Sequence, residues 1–86
     1  MATEYEQGLQ TIDGELKAAF AQARVPNIAI SHRPQGSAPS ATTFKVAADG
    51  RSQELLFPLE EIEDSALAID SLAAAKVRLL VSRFTG

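Results

Sequence analysis

Along the first quarter of the chain, apolar residues recur every three or four positions: Tyr5, Leu9, Ile12, Leu16, Phe20 and Ala23. That spacing lays them on one stripe of an α-helix running from Thr3 to about Arg24. Thr3 and Glu6 have the spacing of a capping box, in which the hydroxyl takes an early backbone N–H and the carboxylate reaches back. Glu4 and Glu6 oppose the positive end of the helix dipole, and Arg24 suits its negative end. Val25 precedes Pro26, and a residue before proline is pushed out of helical geometry, so the helix is expected to stop there. Gly8 and Gly14 each weaken it by about 1 kcal/mol relative to alanine, which makes the helix dependent on packing.

The period then shortens to two. Asn27 to Arg33 reads as a strand, with Ile28, Ile30 and His32 on one side and Ala29 and Ser31 on the other. Pro34 to Ala41 is a loop by composition and the segment expected to be most mobile. In Thr42 to Ala48, Phe44, Val46 and Ala48 alternate with Thr43, Lys45 and Ala47, which predicts a second strand. Asp49-Gly50 is a strong signal for a tight hairpin, because a type I′ turn needs positive φ at both central residues. Arg51 to Phe57 returns as a third strand, with Leu55 and Phe57 toward the core, and Pro58 ends it because proline cannot donate to a ladder.

From Pro58 the pattern is helical again. Leu59, Ile62, Ala66, Ile69, Ala73, Val77, Leu80 and Phe84 form one stripe, and Glu60 and Glu61 fall in the first turn. A single helix over this stretch would have about 26 residues and a length of roughly 39 Å. A compact domain of this size is only about 31 Å across. A break near Asp64 is therefore expected, with Asp64-Ser65 or Asp70-Ser71 as caps of a second segment; the alternatives are an overhang covered by another chain and a closing strand over Lys76 to Phe84. A second apolar seam, Ala68, Leu72, Ala75 and Leu79, lies on the opposite side of the helix. Either the first helix covers it, or it meets its own copy across a two-fold axis. The fold class these elements predict is α+β: one small domain over residues 1–86, of αβββα order, with a three-stranded antiparallel meander and two helices on one face.

With 86 residues, a second domain would leave halves too small to fold. Hydrophobic residues at 45% and charged residues at 22% argue for a globular chain rather than a disordered one. No apolar run is long enough for a membrane span, and the segment Met-Ala-Thr-Glu-Tyr-Glu lacks the basic and apolar regions of an export signal, so a cytoplasmic protein is expected. Without cysteine there is no disulfide framework, thiolate metal site or thiol nucleophile.

Chemistry-bearing residues are few. His32, the one imidazole, is a candidate general base. Asp70, set within the apolar stripe, is a candidate buried carboxylate, or else the cap of a helix beginning at Ser71. Glu60, Glu61, Glu63 and Asp64 form the densest charge cluster; it compensates a helix dipole and could receive a basic protein partner, but its spacing matches no calcium loop. Gly36 and Gly50 lie in a loop and a hairpin and open no helix, so no phosphate loop is present. No metal or cofactor is expected.

The predicted order of helix, three-strand meander and helix resembles the double-stranded-RNA-binding domain. That family holds phosphates with lysines at the start of its second helix. Here that place is taken by Glu60, Glu61, Glu63 and Asp64, and the net charge is −3, so the resemblance implies element order and not RNA binding. Lys45, Arg51, Lys76, Arg78 and Arg83 are the basic residues a nucleic-acid surface would have to use.

The function these features predict is a non-enzymatic protein-interaction module that self-associates, as a homodimer through Ala68, Leu72, Ala75 and Leu79 or through a sheet edge. The alternatives are a small-ligand binder or weak enzyme using His32 and Asp70 in a pocket under the Pro34–Ala41 loop, and a nucleic-acid-binding domain.

Overall fold

The computed structural model describes residues 3–48 and 50–85. Its elements run α1 (Glu4–Gln22), β1 (Ala29–Pro34), β2 (Thr42–Ala48), β3 (Arg51–Phe57), α2 (Leu59–Asp64) and α3 (Ser71–Thr85). The strands form an antiparallel meander in the order β1-β2-β3, and the helices cover one of its faces. The fold is α+β, with the C-terminal helical region divided into two helices. An unbroken helix would have overrun the molecule, whose longest dimension is 34 Å.

Helix α1 starts where expected: the Thr3 hydroxyl accepts from the Glu6 N–H at 3.1 Å. It ends slightly earlier, at Gln22, in a Schellman closure. The Arg24 N–H donates to the Ala21 carbonyl and the Val25 N–H reaches back to the Phe20 carbonyl. Arg24 takes the left-handed position of this motif, with φ 60°. Asn27 also has positive φ, at 58°, so β1 begins at Ala29 rather than Asn27 and runs on to include Pro34. Proline is tolerated there because β1 is an edge strand. At the hairpin, Gly50 has φ 76°, while Asp49 lies outside the described residues.

The register fixes the two faces of the sheet. Phe44 stands between His32 and Leu55, and Val46 between Ile30 and Gln53. Phe44, Val46, Ala48 and Phe57 are buried beneath the helices, with Phe44 and Phe57 in edge-to-face contact at 5.1 Å. The other face carries Ser31, Lys45 and Glu54 in one row and Arg33, Thr43 and Leu56 in the next, with no helix over it. Ile12, Leu16 and Phe20 of α1 pack against Ala73, Val77, Leu80 and Phe84 of α3 in a single core, in which Phe20 and Phe84 also meet edge-to-face. Lys76 to Phe84 is helical, not a closing strand.

Two contacts set the helical layer in place. The Tyr5 hydroxyl is 2.8 Å from Thr42 Oγ1 in the interior. Because that hydroxyl itself donates to the Ser40 carbonyl, the tyrosine is the donor and both polar groups are satisfied. At Gly8 the backbone of α2 crosses α1 so closely that a Cβ would lie 1.7 Å from the Ile62 carbonyl oxygen. Gly8 therefore belongs to the buried stripe, whereas a Cβ on Gly14 meets nothing within 4 Å.

These two glycines are expected to respond in opposite directions. Gly8→Ala would force α1 and α2 apart and destabilise the fold by about 3 kcal/mol. Gly14→Ala would stabilise it by about 1 kcal/mol through helix propensity alone. Urea-unfolding midpoints of the two variants check this, and equal shifts would contradict the crossing.

Candidate functional site

The reversal between α2 and α3 determines where most of the candidate residues lie. Ser65 is fully buried. Its hydroxyl donates to the Glu61 carbonyl at 2.8 Å and accepts the Asp70 N–H at 2.9 Å, so one side chain joins both ends of the loop. Asp70 is the N-cap of α3. Its carboxylate accepts from the Leu72 N–H at 3.0 Å and the Ala73 N–H at 3.4 Å, satisfying two of the donors a helix start leaves free. Of the two roles the sequence allowed Asp70, the structure shows the cap.

His32 is exposed on β1, its ring tilted over Phe44 at a centroid distance of 5.2 Å. It borders two shallow concavities: one on the uncovered sheet face with Ser31, Arg33, Thr43, Lys45 and Glu54, and one between β1 and α1. Asp70 lines neither. The two residues are not brought together in a pocket, and neither His32 concavity lies beneath the 35–41 loop.

The acidic cluster divides. The Glu61 carboxylate turns inward to Lys76, whose Nζ lies 2.9 Å from Oε1 and directs a hydrogen bond to Oε2 at 3.1 Å. Lys76 also donates to the Leu56 carbonyl and stands over the Phe57 ring. Glu60 and Asp64 stay exposed, and Glu63 lines grooves beside Glu4 at the start of α1. Among the described residues no group of three or more His, Asp or Glu side chains is placed to hold a metal ion. The basic residues are dispersed as well. Arg51 donates to the Phe84 carbonyl and covers its ring, Arg83 reaches Gln53, and Lys45 lies on the uncovered sheet face.

The second apolar seam stands clear of α1. Leu72 is 63% and Leu79 44% exposed, and Ala75 between them is exposed. Helix α1 packs instead against the buried stripe, so of the two coverings the sequence allowed for this seam, the one by the first helix is ruled out. Ala68 is exposed too, but it lies in the 65–70 loop and not on the helix. The loop also leaves Leu67 98% exposed, a residue outside the predicted seam. Among the described residues no helix is long and apolar enough to cross a membrane.

The chain matches no family model, no curated protein and no solved structure.

If Asp70 acts through its cap bonds, Asp70→Ala should lower stability by about 1 kcal/mol, and Asp70→Asn should restore most of that. Thermal unfolding followed by circular dichroism separates the two variants. Equal loss in both would point to a role for the charge beyond capping.

Proposed function

We propose that this protein is a non-catalytic interaction module that pairs with a second copy of itself through the outward face of α3. The observation that carries this reading is the exposure of Leu72 and Leu79 on a helix whose other side is fully engaged with the core. Leucines at this spacing, one helical turn either side of Ala75, form a strip that loses favourable free energy while it faces water. In an antiparallel pair about a two-fold axis near Ala75, Leu72 of each copy meets Leu79 of the other, and the alanine permits close approach of the helix axes. Ser71 and Ser82 supply a polar margin.

The absence of an assembled proton-transfer pair at His32 favours this reading over the ligand-binding one, because Asp70 is held by the α3 backbone. A nucleic-acid surface has less support still, since Arg51, Lys76 and Arg83 are each directed at groups of the same chain.

Light scattering of the eluting protein at micromolar concentration should give a mass of more than one chain. The double variant Leu72→Asp/Leu79→Asp should dissociate this interface, raising its dissociation constant by about 100-fold or more. Both positions are exposed, so the circular dichroism spectrum should not change. A strictly monomeric parent chain would overturn the proposal.

A further inference from the structure

The two edges of the sheet are treated differently. On the β3 side α3 lies alongside: Lys76 takes the outward Leu56 carbonyl, and the Gln53 and Arg51 side chains contact Arg83 and the Phe84 carbonyl. Among the described residues nothing comparable caps β1. Its ladder pattern follows from the Gln35 N–H donating to the Ala41 carbonyl at 2.8 Å. Stepping back by twos, Arg33, Ser31 and Ala29 turn their backbone groups toward β2. Ile30 and His32 therefore point their N–H and C=O groups away from the sheet, and Pro34 contributes an outward carbonyl without a donor. A row of unpaired backbone groups of this kind is a template for another strand.

We propose that a second copy of this chain adds to this edge, β1 against β1 in antiparallel register about a two-fold axis at Ser31. This uses a surface distinct from α3 and goes beyond the reading above. In that register Ile30 of one copy exchanges both backbone hydrogen bonds with His32 of the other. Four bonds form and none is asked of Pro34. Arg33 faces Ala29 of the other copy, so no like charges oppose each other across the new ladder.

Charge on α1 selects the same axis. The groove beside β1 is walled by Glu6, Gln10, Asp13 and Lys17, which descend one line of the helix. Tyr5 is anchored to Thr42, the partner of Pro34. From Pro34 to Ser31 the strand rises about 10 Å, the rise of about seven helical residues, which puts the axis near residue 12 of α1. A two-fold axis there sets Glu6 against Lys17 of the other copy and Gln10 against Asp13. Both helices thus present opposite charges to each other in the register that the strand prefers. Lys17 lies 2.9 Å from Asp13 within its own chain and is 67% exposed, so it remains free to reach across.

The chain has no cysteine, which allows a direct test. Residues facing each other at Ser31 would form a non-hydrogen-bonded pair with Cα atoms about 4.5 Å apart, inside disulfide range. In the Leu72→Asp/Leu79→Asp background, Ser31→Cys should oxidise to a covalent dimer at least ~100-fold faster than Ser52→Cys on the opposite edge, because the paired thiols have a far higher effective concentration. Lys17→Glu or Glu6→Lys alone should slow this cross-linking, and the two together should recover it. Slow cross-linking at Ser31, or equal rates at both positions, would overturn the β1 pairing and leave the α3 proposal standing. Rapid cross-linking by a chain whose parent shows no α3-dependent assembly would do the reverse.

Discussion

A single buried hydroxyl, that of Ser65, holds the turn on which the arrangement of the second half of the chain depends. It accepts at one end of the loop and donates at the other, which fixes the separation between the end of α2 and the start of α3. A neutral hydroxyl suits this place because it has both a donor and acceptor capacity, and both are used. With the reversal fixed, Asp70 is presented to the first N–H groups of α3, and the buried stripe can continue from Ile62 to Ala73 in a new direction. The same turn lays α3 along β3, where Lys76 can enter the space between Glu61, the Leu56 carbonyl and the Phe57 ring. The charge pair is partly withdrawn from water; the ammonium donates to Glu61 Oε2 and the Leu56 carbonyl and stands over the Phe57 ring, while Glu61 Oε1 keeps only its ion-pair contact.

Helix α1 reaches its position by another route. A helix–helix contact normally keeps axes 8–10 Å apart because side chains intervene. At Gly8 there is no side chain, and the Ile62 carbonyl fills the space directly. This explains why a residue with poor helix propensity stands in the apolar stripe. The local cost of glycine is offset by the burial of Ile62 and Tyr5 that the approach permits.

Much of the architecture was legible in the chain because it is written in local periodicity. The stripe from Tyr5 to Phe20, the alternation around Phe44 and Val46, and the disparity between a long apolar period and a small domain each point to an element or a break. What could not be read were relations between distant segments. Tyr5 and Thr42 are 37 positions apart, and no spacing rule links them. The role of Gly8 had a signal, a glycine falling within a buried stripe, but its cost to the helix was the more obvious reading. For Asp70 the capping pattern and the buried-carboxylate pattern overlap in sequence, and the geometry of the α3 N-terminus decides between them. The spacing of Leu72 and Leu79 allows coverage by α1 or by a second copy, and α1 is already committed to the opposite side of α3.

The hold of Lys76 on the Leu56 carbonyl at one sheet margin has a consequence for growth. Strand addition at exposed margins tends to propagate, since each newcomer offers a fresh margin of its own. Here a newcomer docked on β1 would present its own β3 side, where α3 runs alongside and the Leu56 carbonyl is already taken by Lys76. A further strand would have to displace that ammonium, so growth of the sheet is disfavoured at this margin.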